Sequence, residues 1–180
     1  VDDAVRAALR EDLGRAGDIT TDSTVLPQAV AKGSLVSREA GVVCGLRFAE
    51  PAFLQMDSTL DFKAILQDGA EVQKGDVIAT IQGAARAVLS AERVALNYLM
   101  HLSGIATFTA AFVSEVSHTH ARICCTRKTV PGDRVVAKYA VRCGGGTNHR
   151  FGLDDAVLIK DNHIAVSGGI SEAIEAARAY

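Results

Sequence analysis

The chain has 180 residues, of which 48% are hydrophobic and 22% are charged, and its formal net charge is −2. This composition is typical of a globular protein with a sizeable core, in one domain or two small ones. The slight negative charge and an aromatic content of 5%, without Trp, argue against a nucleic-acid-binding protein. No apolar stretch approaches the roughly 20 residues of a transmembrane helix, so no membrane association is expected.

The four cysteines, at positions 44, 124, 125 and 143, form no C-x-x-C pair and show no zinc-type spacing. We expect buried free thiols, the state typical of a reducing cytoplasm. The N-terminal stretch 1–13 is charged and amphipathic, unlike a signal peptide. The sequence therefore predicts a cytoplasmic protein.

The first half of the chain predicts helices and short strands. Apolar residues recur at helical spacing over Asp2–Leu13, and again over Leu46–Met56 despite Pro51, so both stretches are predicted helices. The G-D-I-T-T segment at 17–21 is predicted to be a loop. Strands are predicted, from short β-type runs between turn residues, at 31–36, 41–44, 60–66, 70–72, 77–81 and 87–89.

One string of residues, DGAEVQKGDVI at 68–78, resembles half of a lipoyl or biotinyl carrier domain. Such a domain needs a modifiable Lys at a hairpin tip beside another short motif, and Lys63 and Lys74 lack that context. A swinging-arm carrier module is therefore the alternative hypothesis from a different functional class.

Residues 90–116 form the longest predicted helix, with Ser90 as the N-cap and Gly104 as a position where it could divide in two. Arg93 then falls in the first turn, where the helix dipole disfavours a cation. Two interpretations follow. Arg93 is either a surface residue paired with a neighbouring acid, or it binds an anionic ligand.

The stretch Arg122 to His163 is cationic, with eight Lys or Arg and four Asp. Apolar runs at 123–125 and 156–159 predict buried strands of a parallel sheet, with a helix over 133–143 between them. Arg127 and Lys128 follow the first run, and Lys160 follows the second. Because ligands of α/β sheets bind at the carboxyl ends of strands, this pattern indicates a site for an anionic small molecule. A solvated basic face is the alternative.

Other polar residues of this stretch are predicted to have structural roles. Arg134, Lys138 and Arg142 are spaced by four and are expected to form a solvated stripe of one helix. His149 is expected to donate to a carboxylate, and neither His149 nor His163 is expected to bind a metal. The acid pair at 154–155 predicts a turn, and 171–180 predicts a final helix.

Six short motifs in this stretch occur in the same order as in a known family. They are TRKT at 126–129, PG at 131–132, KYAV at 138–141, GGG at 144–146, NHR at 148–150 and IKDNH at 159–163. Together they resemble quinolinate phosphoribosyltransferase, and the likeness runs from about residue 4 to the end.

The resemblance implies an α/β fold with two domains. An N-terminal α/β sandwich over 1–103 would cap the substrate and form a dimer contact, and 104–180 would begin an α/β barrel that carries the reaction site. Only about two strand–helix pairs follow residue 122, whereas a closed barrel needs roughly eight strands. We therefore expect an incomplete barrel in this chain, and a natural chain roughly 100 residues longer.

The resemblance also implies a reaction: phosphoribosyl transfer from phosphoribosyl pyrophosphate to quinolinate, with decarboxylation, Mg²⁺ as cofactor, and nicotinate mononucleotide as product. This is a step of NAD biosynthesis. The implied partners are the two substrates and a second copy of the chain, in a homodimer or larger assembly with shared sites. A molybdenum-transport-associated paralogue of the same fold is the nearest alternative.

Seven residues are assigned to substrate binding by this resemblance, while no metal ligand is assigned. They are Arg93, Thr126, Arg127, Lys128, His149, Arg150 and Lys160. Lys128 and Lys160 are also the predicted catalytic residues, because they are placed between the two substrates. Arg93 is expected to reach the site of the partner subunit.

Two positions depart from the family pattern. Cys125 stands where bacterial-type members usually carry Asp, and Asp133 stands where they usually carry an apolar residue. The first change removes a carboxylate that could orient its neighbours. The second adds a negative charge near the cationic site or caps the following helix.

Overall fold

A computed structural model describes all 180 residues and contains seven helices and five strands. In chain order the elements are α1 (Asp2–Leu13), α2 (Ile19–Thr24), β1 (Val30–Val36), β2 (Gly41–Val42), α3 (Leu46–Met56), β3 (Asp61–Ala64), β4 (Glu71–Val72), β5 (Val77–Ala84), α4 (Ala85–Glu115), α5 (Arg134–Cys143), α6 (Asp161–Ser167) and α7 (Ile170–Ala179). The predicted α/β class is confirmed. The domain boundary at residue 103 stays a prediction, because α4 runs through it.

All five strands lie before α4 and pair in an antiparallel manner. The larger sheet has the order β1-β5-β3, and β2 pairs with β4. In β5 the side chains of Ala79 and Ile81 are buried while their neighbours are more exposed. This alternation places one face of the sheet on the core and leaves the other toward solvent.

The core lies between this sheet and the helices α1, α3 and α4. It is a single cluster of 23 buried residues, and Phe53 and Leu102 are its largest fully buried side chains. The Phe48 ring stacks on Tyr98 of α4 at 4.8 Å between centroids. Gly45 precedes α3 with a φ of +116°, and a Cβ there would lie 2.9 Å from the Tyr98 carbonyl oxygen. Glycine therefore allows the start of α3 to contact α4 directly.

Helix α4 begins five residues earlier than predicted, so the expected strand at 87–89 is wrong. Val88 and Ala91 are buried at helical spacing, and this packing outweighs the β propensity of the short run. Ser90 is not an N-cap; its hydroxyl donates to Asp18 Oδ2 at 3.1 Å. Gly104 does not interrupt the helix, which is continuous over 31 residues.

The predicted loop at 17–21 is also wrong, because Asp18 caps a short helix. Its Oδ1 accepts a hydrogen bond from the backbone N–H of Thr21 at 3.0 Å, which satisfies a free donor in the first turn of α2. Since Asp18 also accepts from Ser90, this cap fixes α2 against α4.

By length and composition, α4 could cross a membrane, although no such stretch was expected from the sequence. Nine of its residues are buried in the core of this fold. A helix that packs against both a sheet and other helices needs an extended apolar surface. Its apolar composition therefore has an explanation within the fold itself.

The two strands predicted in the cationic stretch do not form. The 123–125 run makes only an isolated parallel bridge, between Cys124 and Thr147. Residues 156–159 have no strand neighbour in this chain, and Val157 is 71% exposed. A strand needs a neighbour for its backbone groups, and none is present here. Helices α5 and α7 match the predicted ones, whereas α6 was not predicted.

All four cysteines are free, as predicted, but they are not all buried. Cys44 is buried and Cys124 is exposed. Burial raises the pKa of the Cys44 thiol, and the nearby Cys143 raises it further. The exposure of Cys124 follows from the absence of the sheet in which it was expected to lie.

Candidate active site

Two loops carry most of the predicted site residues, and a parallel bridge joins them. We call residues 126–130 the first cationic loop and residues 147–151 the second cationic loop. The backbone N–H of Cys125 donates to the Thr147 carbonyl at 3.0 Å, and the N–H of Thr147 donates to the Ile123 carbonyl at 2.8 Å. Arg127 and Arg150 each lie three residues beyond the bridged pair Cys124–Thr147. The bridge thus sets the two arginines at matching positions of neighbouring segments.

Both arginines have a buried nitrogen without a partner. The Nε atoms of Arg127 and Arg150 are inaccessible to solvent and make no hydrogen bond. Arg150 uses one other nitrogen, Nη1, which donates to the Ala156 carbonyl at 2.8 Å. An unsatisfied buried donor on a charged group is costly. An anion would reach these half-buried side chains through their terminal Nη atoms, of which only Nη1 of Arg150 has a partner. These guanidinium groups therefore have free capacity for an anion.

The basic residues of the cationic stretch form no ion pair. The three ion pairs of the chain are Arg6–Asp3, Lys63–Asp61 and Arg86–Asp22, all in the N-terminal half. None of the eight basic residues between 122 and 163 forms one, although four Asp lie in the same stretch. Uncompensated positive charge on adjacent loops produces a field that favours an anionic ligand.

One of those acids, Asp155, binds the backbone instead of a cation. Its carboxylate accepts hydrogen bonds from the N–H groups of Phe151 and Gly152. The bond from Phe151 is the largest cause that holds the pKa of Asp155 below its ordinary value, and the charge of Arg150 contributes last. The chain bends at 154–155, but the predicted helix-to-strand turn does not form there, because no strand follows. The bend fixes the end of the second cationic loop.

A cleft of about 280 Å³ lies between α4, α5 and the first cationic loop. Among its lining residues are Thr126, Lys128, Lys138, Cys125, Asp133 and His101. Two of the predicted substrate-binding residues, Thr126 and Lys128, are therefore brought together at one cavity. The Thr126 hydroxyl accepts the backbone N–H of Lys128 at 3.1 Å, which shapes the loop around it. Asp133 makes no capping hydrogen bond with its side chain and instead brings negative charge to this cleft.

The solvated stripe predicted on α5 is wrong for two of its three members. Lys138 is only 4% exposed, and its Nζ donates to the His149 carbonyl at 2.8 Å and to Cys125 Sγ at 3.0 Å. Arg134 donates to the Phe151 carbonyl at 3.1 Å and packs over the Phe151 ring. Arg142 is exposed, as predicted. The sequence contains one indication that Lys138 is buried, which is its place among the apolar positions 137, 140 and 141 of the helix.

The two histidines accept hydrogen bonds from the backbone. His149 Nδ1 accepts from the N–H of Arg150 at 2.7 Å, and the donation of this side chain to a carboxylate stays a prediction. His163 Nδ1 accepts from the N–H of Lys160 at 3.0 Å and thereby closes the first turn of α6. The chain contains no group of three side chains that could hold a metal ion.

Lys160 and Arg93 lie outside the cleft. Lys160 precedes α6 and has an exposed side chain. Arg93 is exposed more than two turns into α4, so its predicted place in a first turn is wrong and the helix dipole no longer argues for a ligand. The assignment of all seven residues to substrate binding stays a prediction.

One contact that was not predicted ties α5 to the N-terminal half. Asp68 Oδ1 accepts the N–H groups of Gly45 and Leu46 at the start of α3, and Oδ2 accepts the Tyr139 hydroxyl at 2.8 Å. Burial raises the pKa of Tyr139, and the hydrogen bond to Asp68 adds to this. Because the partners are 71 residues apart in sequence, no local pattern could have indicated this contact.

Comparison with known proteins agrees with the motifs. Two family models match the chain: the N-terminal domain of quinolinate phosphoribosyl transferase over residues 18–103, and the C-terminal domain over 105–180. A Mycobacterium leprae protein named nicotinate-nucleotide pyrophosphorylase [carboxylating] is 49% identical over 98% of this chain and 63% of its own length. A Nicotiana tabacum protein named quinolinate phosphoribosyltransferase [decarboxylating] 1b is 42% identical, over 98% of this chain and 50% of its own.

Solved structures show the same relationship. NadC from Streptococcus pyogenes superposes with a TM-score of 0.95 at 45% identity, over 99% of this chain and 63% of that one. Human nicotinic acid phosphoribosyltransferase, at 16% identity and a TM-score of 0.64, shares the fold alone. The chain spans between half and about two thirds of the length of these curated relatives. With both domain models matched in order over nearly the whole chain, it belongs to the quinolinate phosphoribosyltransferase family.

Proposed function

We propose that this protein transfers the phosphoribosyl group of phosphoribosyl pyrophosphate to quinolinate, with release of pyrophosphate and CO₂ and formation of nicotinate mononucleotide. The observation that carries the proposal is the unpaired cationic stretch, in which two arginines have buried donors without partners. A pyridine dicarboxylate and a polyphosphorylated sugar are anionic ligands that such a site can bind. The names of the relatives support the same reaction.

Within this proposal the arginines and lysines have different tasks. Arg127 and Arg150 bind the quinolinate carboxylates, because a guanidinium pairs with a carboxylate through two parallel hydrogen bonds. Thr126 and His149 flank them on the same two loops. Lys128 and Lys160 supply compact charge that stabilises the leaving pyrophosphate and the decarboxylating ring.

We include Mg²⁺ in the proposal as a companion of phosphoribosyl pyrophosphate. The chain offers no cluster of three metal-ligating side chains, so these residues would not hold the ion by themselves. Phosphate oxygens are preferred Mg²⁺ ligands, and the co-substrate would bring them. The ion would neutralise charge on the pyrophosphate.

We also propose a homodimer with shared sites, in the cytoplasm. Arg93 is exposed on α4, and so are Met100, Phe108 and Phe112 on the same helix, which fits a surface that a second copy covers. The test mixes Arg93→Ala and Lys160→Ala proteins, each expected to be nearly inactive. If Arg93 acts in the partner's site, half of the sites in each heterodimer are intact, and activity returns. Verified heterodimers that stay inactive would place Arg93 within its own chain or outside the reaction.

The experiment that tests the reaction is a product assay on the complete protein with phosphoribosyl pyrophosphate and Mg²⁺. Quinolinate, nicotinate or no base is supplied, and nucleotide and CO₂ are measured. We expect quinolinate to be used at least about 100-fold better than nicotinate, because an analogue that lacks a carboxylate leaves a buried cation unpaired. Equal use of both acids would overturn the quinolinate assignment. No turnover of either would favour the molybdenum-transport-associated alternative.

A further inference from the structure

Lys138 is a charged side chain in an unusual environment. It is 4% exposed and lies in the middle of α5, yet no carboxylate pairs with it. Its two hydrogen bonds go to the His149 carbonyl, at 2.8 Å, and to Cys125 Sγ, at 3.0 Å. Removing an ammonium group from water without a counter-charge is unfavourable, so a purely structural position would more readily carry an apolar residue.

The two acceptors of Lys138 lie on the two bridged segments that lead into the cationic loops. His149 directly precedes Arg150 in the second cationic loop, and Cys125 directly precedes Thr126 and Arg127 of the first. We propose that Lys138 is a positioning residue that holds these loops in register, so that Arg127 and Arg150 present their guanidinium groups to one substrate. This role rests on the proposed function, because it concerns the same substrate.

A comparison with the parallel bridge shows what Lys138 adds. The bridge at Cys124–Thr147 joins the segments three residues before each arginine. The bridge consists of two backbone hydrogen bonds, and on its arginine side Cys125 Sγ also donates to Asn148 Oδ1 at 3.4 Å. Lys138 adds a charged contact to both segments from a helix outside them, so that the segments are fixed relative to α5 as well as to each other.

The helix that carries Lys138 is itself held in a fixed position. Lys138 is one residue from Tyr139, whose hydroxyl donates to Asp68 at 2.8 Å, and Asp68 in turn binds the start of α3. Helix α5 is therefore anchored on the packed N-terminal half. Through Lys138, both loops are attached to that rigid core and not only to each other.

The first variant is Lys138→Met in the complete protein, with Arg142→Met as a matched control one turn along the same helix. Arg142 is exposed and its side chain makes no hydrogen bond. A displacement of about 1 Å at a binding group typically lowers the rate about 100-fold. We expect Lys138→Met to lower kcat/KM for quinolinate by about 10- to 100-fold, mainly through KM, and Arg142→Met to change it less than about twofold.

Hydrogen exchange provides a readout that does not need turnover. Amides of residues 126–130 and 147–151 should exchange faster in Lys138→Met, while those of α3 and α4 keep the wild-type rate. A merely structural role would accelerate exchange along α5 and leave the KM for quinolinate unchanged. If the wild type does not use quinolinate, the proposed function fails, and the exchange data alone then decide whether Lys138 holds the loops.

A milder variant keeps the test decisive if Lys138→Met does not fold. Cys125→Ala removes one of the two acceptors, together with the contact between Cys125 Sγ and Asn148 Oδ1, and leaves the buried charge with the His149 carbonyl. Asn148→Ala, which removes only the Cys125–Asn148 contact, is its control. We expect a KM increase of a few-fold and faster exchange in the first cationic loop only. Unchanged KM and unchanged loop exchange, in Lys138→Met if it folds and otherwise in Cys125→Ala, would overturn the positioning role.

Discussion

The N-terminal part of the chain, residues 1–116, and the part from 117 onward are organised by different forces. The first contains all five strands and nearly all of the 23-residue core. In the second, the only buried residues are Lys138, Ala140, Gly144 and Ala173. The first part is therefore held by apolar packing, whereas the second is held by a bridge, a few hydrogen bonds and its contact with α4. Every predicted site residue except Arg93 lies in the second part.

This difference explains where the cationic side chains can be functional. Three basic residues of the N-terminal part form ion pairs with acids: Arg6 with Asp3, Lys63 with Asp61 and Arg86 with Asp22. The basic residues of the second part form no ion pair, and one acid there, Asp155, binds the backbone instead of a cation. The basic side chains of the second part therefore remain available to bind an anion, and the packed N-terminal part holds their loops in place.

The largest expected difference between the two parts is in stability, and it is tested by removing one large aromatic ring from each part. Phe53→Ala deletes a ring that is 1% exposed and should lower the free energy of unfolding by about 3–5 kcal/mol. Phe151→Ala deletes one that is 45% exposed and should cost less than about 1 kcal/mol. Denaturant titration measures both values in the complete protein. Similar losses for the two variants would contradict the division into a packed part and a part held by polar contacts.

The second prediction concerns substitutions that should lower activity and leave the packing intact. Lys128→Met and Lys160→Met each remove one exposed charge at a predicted catalytic position, and loss of one preorganised charge typically lowers the rate by about 10²–10³. We expect that loss in kcat, with an unchanged thermal transition. Lys74→Met, an exposed Lys in a turn of the N-terminal part, is the matched control and should keep the wild-type kcat. Unaltered kcat in both site variants would reject their catalytic assignment.

The smallest expected effect is on pH dependence. Hydrogen bonds from Thr21, and then Ser90, hold the pKa of Asp18 below its ordinary value of 3.8. Since the folded pKa is depressed, this stabilisation is fully present above pH 3.8 and is lost as the pH falls through the folded value. The contribution of Asp18 to the thermal transition, which is the difference between wild type and Asp18→Asn, should therefore stay constant from about pH 7 to 5 and decrease below about pH 4. Asp18→Asn should weaken the acid-side decrease; an identical profile would show that the cap does not contribute.

The sequence predicted those elements whose signal is local. The helices α1 and α3 have periodic apolar faces, and their predicted bounds agree with the observed ones. The family is likewise indicated by six short motifs in a fixed order, each of them a run of two to five neighbouring residues. Such signals depend on residues within a few turns of each other, and the chain needs no distant partner to reveal them.

Predictions failed wherever a distant contact decides the structure. Residues 87–89 have β propensity, yet they extend α4 because Val88 packs into the core. Lys138 was expected in solvent because its acceptors, 13 and 11 residues away, are brought to it only by the bridge between the loops. Residues 156–159 have the composition of a buried strand, but a strand also requires a neighbouring one.

Calorimetric titration of the complete protein with quinolinate and with nicotinate tests directly whether the unpaired arginines bind a dicarboxylate. If Arg127 and Arg150 are unpaired cations that share one dicarboxylate, quinolinate should bind at least about tenfold more tightly than nicotinate. Replacing either arginine with Gln should remove most of that difference, while Arg142→Gln should preserve it. Equal affinity for the two acids in the wild type, or a preference that survives both substitutions, would contradict the account.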